Sequence, residues 1–175
     1  MLFRSDWSRD GGHLLVGRTA VQTGDDLWVV PPAEGAKPNA YAAGSFNQAY
    51  GAFSPNGRSV AYASDESGQF EVYVDSFPTP GTRIRVTTAG GTEPRWRSDG
   101  NELYFRRGSE VHVVRLSWRQ RLLAVASVDR LFDAGAIIRA FDATSDGLRF
   151  LLNLPASSAA PRSATMIVHW KLGRD

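Results

Sequence analysis

The chain has 175 residues, 42% of them hydrophobic, which suits one folded domain and is too apolar for a disordered segment. Cysteine is absent, which excludes a disulfide framework and any cysteine-based zinc site. The net charge is +2, nearly all of the cations are arginine, and acidic residues are interspersed without any basic block, so no nucleic-acid partner is expected.

The N-terminal residues reach Arg4 and Asp6 before an apolar stretch builds, so they do not read as a signal peptide. No apolar run approaches the roughly 20 residues of a membrane span, and no membrane contact is expected of this segment. The first strand-like stretches are His13 to Gly17 and Asp26 to Val30, with a weak outer strand near Ala40 to Ala43. The next unit is clearer. Ala52-Phe53 ends a strand, and Ser54-Pro55-Asn56-Gly57 is a tight turn in which glycine takes the left-handed conformation. Ser59 to Ser64 alternates with period two, as a half-buried strand does. Phe70 to Asp75 alternates again, and Ile84 to Thr88 supplies a fourth strand. The third unit repeats the plan with Glu93 to Trp96, Glu102 to Arg106, Glu110 to Leu116 and Val125 to Phe132. The fourth offers Ile137 to Phe141, Arg149 to Leu152 and Met166 to Trp170. No segment keeps a helical period over three turns.

One short motif opens every unit: Trp7-Ser8-Arg9-Asp10-Gly11, Phe53-Ser54-Pro55-Asn56-Gly57, Trp96-Arg97-Ser98-Asp99-Gly100 and Ala143-Thr144-Ser145-Asp146-Gly147. Its glycines stand 46, 43 and 47 residues apart. A period in the forties filled with short strands marks a β-propeller. The expected fold is all-β: about four blades of four-stranded antiparallel sheets, the last incomplete, near residues 1–44, 45–89, 90–134 and 135–175. They form a single partial propeller domain over 1–175.

Phe53-Ser54-Pro55-Asn56-Gly57, with Val60 to Asp65 and Glu71 to Val74, resembles the WD40-like (PD40) repeat of TolB-type six-bladed propellers. Gly90 to Trp96 and Asp99 to Phe105, with Gly68 to Tyr73 and Phe77-Pro78, are similar to the C-terminal propellers of bacterial serine/threonine protein kinases and related transmembrane regulators. The ending Val168-His169-Trp170 resembles the close of such proteins. The resemblance implies a ring of six or more blades and a non-catalytic binding or scaffolding role, as the C-terminal sensory or interaction region of a signalling protein. It also implies a protein or peptide partner, room for a small ligand, and, in a kinase-associated setting, the extracytoplasmic side of a membrane. Open blade edges would favour self-association. A prolyl-oligopeptidase-like propeller that gates substrate is the alternative, and a periplasmic TolB-like interaction domain is a third.

Chemistry-bearing motifs are few. His13, His112 and His169 are the three histidines, and no Gly-x-Ser-x-Gly elbow accompanies them. No kinase phosphate loop, His-Arg-Asp or Asp-Phe-Gly motif occurs. Asp25-Asp26 and Asp65-Glu66-Ser67-Gly68 read as turns rather than calcium loops. No catalytic, cofactor or metal site is therefore expected. Trp7, Phe53 and Trp96 share one repeat position, Trp28 and Tyr73 another, and both sets are expected to pack between blades. The candidate binding residues are Arg95 and Arg97, flanking Trp96 on an inner strand, and Trp118 with Arg119, which break the repeat. The two arginines flanking Trp96 suit an anionic ligand or carboxylate, or else pair with charges on a neighbouring blade.

Overall fold

The four glycine turns share one geometry. Gly11, Gly57, Gly100 and Gly147 have φ of +71°, +66°, +73° and +71°. In three of the four a hydroxyl at the second motif position ties the turn. Ser54 Oγ donates to Asn56 Oδ1 and accepts from Ser59 N, while Asn56 Oδ1 also accepts from Arg58 N. Ser8 with Asp10, and Thr144 with Asp146, repeat this pattern. The hydroxyl hydrogen bonds hold the carboxyls of Asp10 and Asp146 below their ordinary range. A built Cβ at Gly57 meets nothing within 4 Å, so its requirement is conformational alone. Gly57→Val should therefore lower stability by more than roughly 1 kcal/mol, measured by chemical denaturation. An unchanged midpoint would mean that the turn tolerates a β-branched residue.

A computed structural model describes residues 2–119, 122–155 and 165–168, with side chains omitted for 2–5, 118, 119, 122 and 165–168. Blade 1 comprises β1 (Leu2–Trp7), β2 (Leu14–Ala20), β3 (Gly24–Val30) and β4 (Asn39–Ala42). Blade 2 comprises β5 (Gln48–Phe53), β6 (Ser59–Ser64), β7 (Glu71–Ser76) and β8 (Ile84–Arg85). Blade 3 comprises β9 (Thr92–Trp96), β10 (Glu102–Arg107), β11 (Glu110–Arg119) and β12 (Leu122–Asp133). Blade 4 comprises β13 (Ala140–Ala143), β14 (Arg149–Asn153) and β15 (Thr165–Val168). Each blade is an antiparallel meander, and the inner strands of successive blades lie side by side. The described residues contain no helix.

Period-two alternation builds three cores, one between each pair of neighbouring blades. Leu15, Leu27 and Tyr41 of blade 1 meet Val60, Tyr62 and Tyr73 of blade 2. Ala61, Val72 and Val74, on the other face of blade 2, meet Leu103, Phe105 and Val114 of blade 3. Tyr104, Val111 and Val113 of blade 3 meet Phe141, Phe150 and Leu152 of blade 4. β6 is buried on both faces, whereas β14 is buried on alternate residues only. Gly51 lies where β5 crosses blade 1: a Cβ there would collide with Leu15 Cδ2.

Several sequence expectations shift. The inner strand of blade 4 is Ala140–Ala143 rather than Ile137 to Phe141, because Ile138 plugs the core ahead of the strand. β8 is two residues long, because Val72 N turns from the backbone ladder to the Thr87 hydroxyl. The third strand of blade 4 is Thr165–Val168, and His169 and Trp170 lie outside the described residues. Trp7 is 57% exposed rather than packed between blades. Its position packs on the preceding blade in Phe53 and Trp96, and the described residues place no blade before blade 1. Trp28, also on that side, is half-buried with the Arg18 guanidinium 5.2 Å from its ring centroid.

Candidate functional site

The inner strands carry a repeated irregularity. β1, β5 and β9 each hold a one-residue bulge, between Phe3 and Asp6, between Ala49 and Ala52, and between Thr92 and Arg95. β13 has none. Bulges re-aim side chains and are frequent beside functional sites. In β5 and β9 the bulge puts a non-glycine residue in the left-handed region, Tyr50 at φ 59° and Glu93 at φ 55°.

These strands line a cleft of about 690 Å³ that touches all four blades. Asp6, Arg9, Tyr50, Arg95, Trp96 and Asp142 form most of its polar and aromatic wall. Asp6, Ala52, Arg95 and Asp142 occupy one repeat position, directly before the aromatic or alanine that opens the turn motif. Asp6 Oδ2 accepts from Phe53 N at 2.7 Å, which joins blade 1 to blade 2. Trp96 Nε1 donates to the Ala52 carbonyl at 3.1 Å, which joins blade 3 to blade 2. Arg95 Nε lies 3.3 Å from Asp142 Oδ1, and its guanidinium stands 5.8 Å from the Phe141 ring centroid. Glu93, 3% exposed, accepts from Phe141 N through Oε2 and pairs with Arg106 through Oε1. The carboxylates near the cleft thus serve as blade-to-blade links. Arg9 is exposed and forms no ion pair among the described residues.

Of the residues proposed from sequence, Arg95 lines the cleft, paired across the blade boundary with Asp142. Arg97 instead joins a network on blade 3, with Glu102 at 3.2 Å and Asp99 at 3.7 Å. Glu102 also faces Arg115 and accepts from the Tyr104 hydroxyl; burial, then that hydrogen bond, push the Tyr104 phenol above its usual range. Trp118 and Arg119 fall on β11, and their side chains lie outside those described. Sequence reasoning missed Asp6, Arg9, Tyr50 and Asp142. Alignment of the motifs would have found Asp6 and Asp142, since both stand at the Arg95 position.

The histidines are structural where described. His112 stands opposite Phe105 and stacks on it at 5.1 Å, in the place that Tyr73 takes against Tyr62. Its Nε2 lies 2.8 Å from Glu110 Oε2. His13 packs edge-on against Phe77. Neither lines the cleft. Asp65 accepts from Asn47 N and Nδ2 at its turn, whereas Asp25 and Asp26 fall on β3 rather than in a turn, with Asp26 accepting from Thr23 Oγ1 and Gly44 N.

No protein-family model matches the chain, and no curated protein matches it. Solved structures do. TolB from Acinetobacter baumannii superposes with a TM-score of 0.73 at 18% identity, over 97% of this chain and 41% of that protein. The fold is a TolB-like β-propeller. A putative 6-phosphogluconolactonase from Bacteroides uniformis aligns with a TM-score of 0.60 at 18% identity, over 96% of this chain and 55% of that one. The β-propeller domain of the Trilobed protease from Pyrococcus furiosus aligns with a TM-score of 0.59 at 13% identity, over 99% of this chain and 55% of that one. The chain therefore spans about half the length of these propellers, and in that span the TolB-like arrangement of successive blades is retained.

Proposed function

We propose that this TolB-like propeller is a non-catalytic binding module whose ligand or protein partner docks at the inner-strand cleft. The observation that carries the reading is the meeting of four inner strands at one open cleft with Arg9 and Arg95 on its walls. Convergent polar groups in a concave site of this size suit recognition. The likeness to TolB favours a protein or peptide partner. The resemblance of Gly90 to Phe105 to kinase-linked propellers favours a place as the C-terminal sensory or interaction region of a bacterial signalling protein. The second reading, a propeller that gates substrate for a peptidase, is favoured by the likeness to the Trilobed protease domain.

Selection of random peptides on the purified chain tests the binding reading. Enriched peptides should lose binding to a chain carrying both Arg9→Ala and Arg95→Ala. Peptides that bind the double variant equally well would place the site elsewhere. Turnover of lactone or aminoacyl-anilide substrates above that of the heat-denatured chain would make the protein an enzyme and overturn the proposal.

A further inference from the structure

The two left-handed bulge residues occupy the same repeat position, yet among the described residues only Glu93 makes a cross-blade hydrogen bond from it. Glu93 uses its position to reach across to blade 4, where Phe141 N donates to it. Tyr50 is its counterpart on blade 2. The residue that would receive the matching contact on blade 3 is Pro94, which has no N–H to donate. The blade 2 to blade 3 link passes instead through the Trp96 indole and the Ala52 carbonyl. A bulky residue with positive φ is costly, and such strain persists where the side chain has a use. The Tyr50 side chain, half-buried, lines the cleft.

Among the described residues, Arg9 is the lining cation without an ion pair, while each lining carboxylate has one oxygen engaged: Asp6 Oδ2 by Phe53 N, and Asp142 Oδ1 by Arg95 and Ala143 N. Arg9 offers its guanidinium, and Tyr50, Ser98 and Ser145 line the same space. A guanidinium in a cleft that two aromatic residues, Tyr50 and Trp96, also line matches an acceptor group attached to an apolar body. We propose that the cleft binds a small ligand bearing a carboxylate and an apolar group, such as the C-terminal residue of a peptide. In this proposal Tyr50 is the specificity-determining contact and Arg9 the carboxylate partner. The inference rests on the binding reading above and names the ligand class of that same cleft.

Titration of the chain with N-acetyl-phenylalanine and with N-acetyl-phenylalaninamide, followed by calorimetry, tests it. The acid should bind at least about tenfold tighter than the amide, as expected for a charge-assisted hydrogen bond. Tyr50→Gly should weaken the acid by roughly tenfold, as loss of an aromatic anchor does. Its melting temperature should stay within about 3 °C of the parent chain, because relief of the left-handed residue opposes the looser unfolded chain. Tyr50→Phe should keep most of the apolar contact and lose part of the preference for the acid over the amide. No binding of the acid at millimolar concentration, equal binding of acid and amide, or unaltered affinity in Tyr50→Gly each overturns the proposal. So does a fall of more than about 3 °C in the melting temperature of Tyr50→Gly, which would make Tyr50 a structural residue. If selected peptides still depend on Arg9 and Arg95 while Tyr50 proves indifferent, the ligand assignment falls and the binding reading stands.

Discussion

Glu93→Ala is expected to destabilise the propeller by about 3–5 kcal/mol, the range for removing one partner of a buried ion pair. Glu93 is 3% exposed and sits where blades 3 and 4 meet. Its two carboxylate oxygens serve different elements: Oε2 accepts from Phe141 N at 3.2 Å, and Oε1 lies 3.4 Å from Arg106 Nη2. Alanine would leave a buried backbone N–H and a largely buried guanidinium without that carboxylate. The melting temperature should fall by roughly 10 °C, at a few degrees per kcal/mol for a chain of this size. Glu93→Gln keeps an acceptor for Phe141 N and removes the charge, so its loss should be smaller. A loss below about 1 kcal/mol in Glu93→Ala would show that the carboxylate does not hold blade 4 to blade 3. Equal losses in the two variants would show that the charge alone matters.

The propeller was legible because its strongest signals are local. Asn56-Gly57 and Asp99-Gly100 announce their turns, and the hydroxyls of Ser8, Ser54 and Thr144 fix three copies of the same hairpin corner. Ser59 to Ser64, expected to be half-buried from its alternation, is instead buried throughout, because each face of β6 meets a different blade. The bulges were not legible. A one-residue bulge leaves composition unchanged, and tyrosine or glutamate at a left-handed position gives none of the signal that glycine or asparagine would. Trp7 misled for another reason: its burial depends on a neighbour rather than on its own strand. Of the cleft, Arg95 could be read as a cation on an inner strand. Its partner Asp142 and the open Arg9 come from other blades, and only the stacking of the blades brings them to one place.

Trp96→Ala is expected to lose about 3 kcal/mol, at the lower end for truncating a large core aromatic because the indole is half-buried. The indole packs against the core between blades 2 and 3. Its Nε1–H reaches the Ala52 carbonyl at 3.1 Å, so one side chain supplies both apolar contact and a cross-blade hydrogen bond. Trp96→Phe separates the two contributions. Phenylalanine already fills the same repeat position in blade 2, where Phe53 is 6% exposed, so the site accommodates the smaller ring. That variant should lose only about 1 kcal/mol, the net value of one hydrogen bond, plus a modest packing term. Guanidinium denaturation followed by far-ultraviolet circular dichroism would measure both. Equal losses in the two variants would mean that the hydrogen bond to Ala52, rather than the packing, holds blade 3 to blade 2. A loss below about 1 kcal/mol in Trp96→Ala would mean that the indole serves the cleft and not the blade boundary.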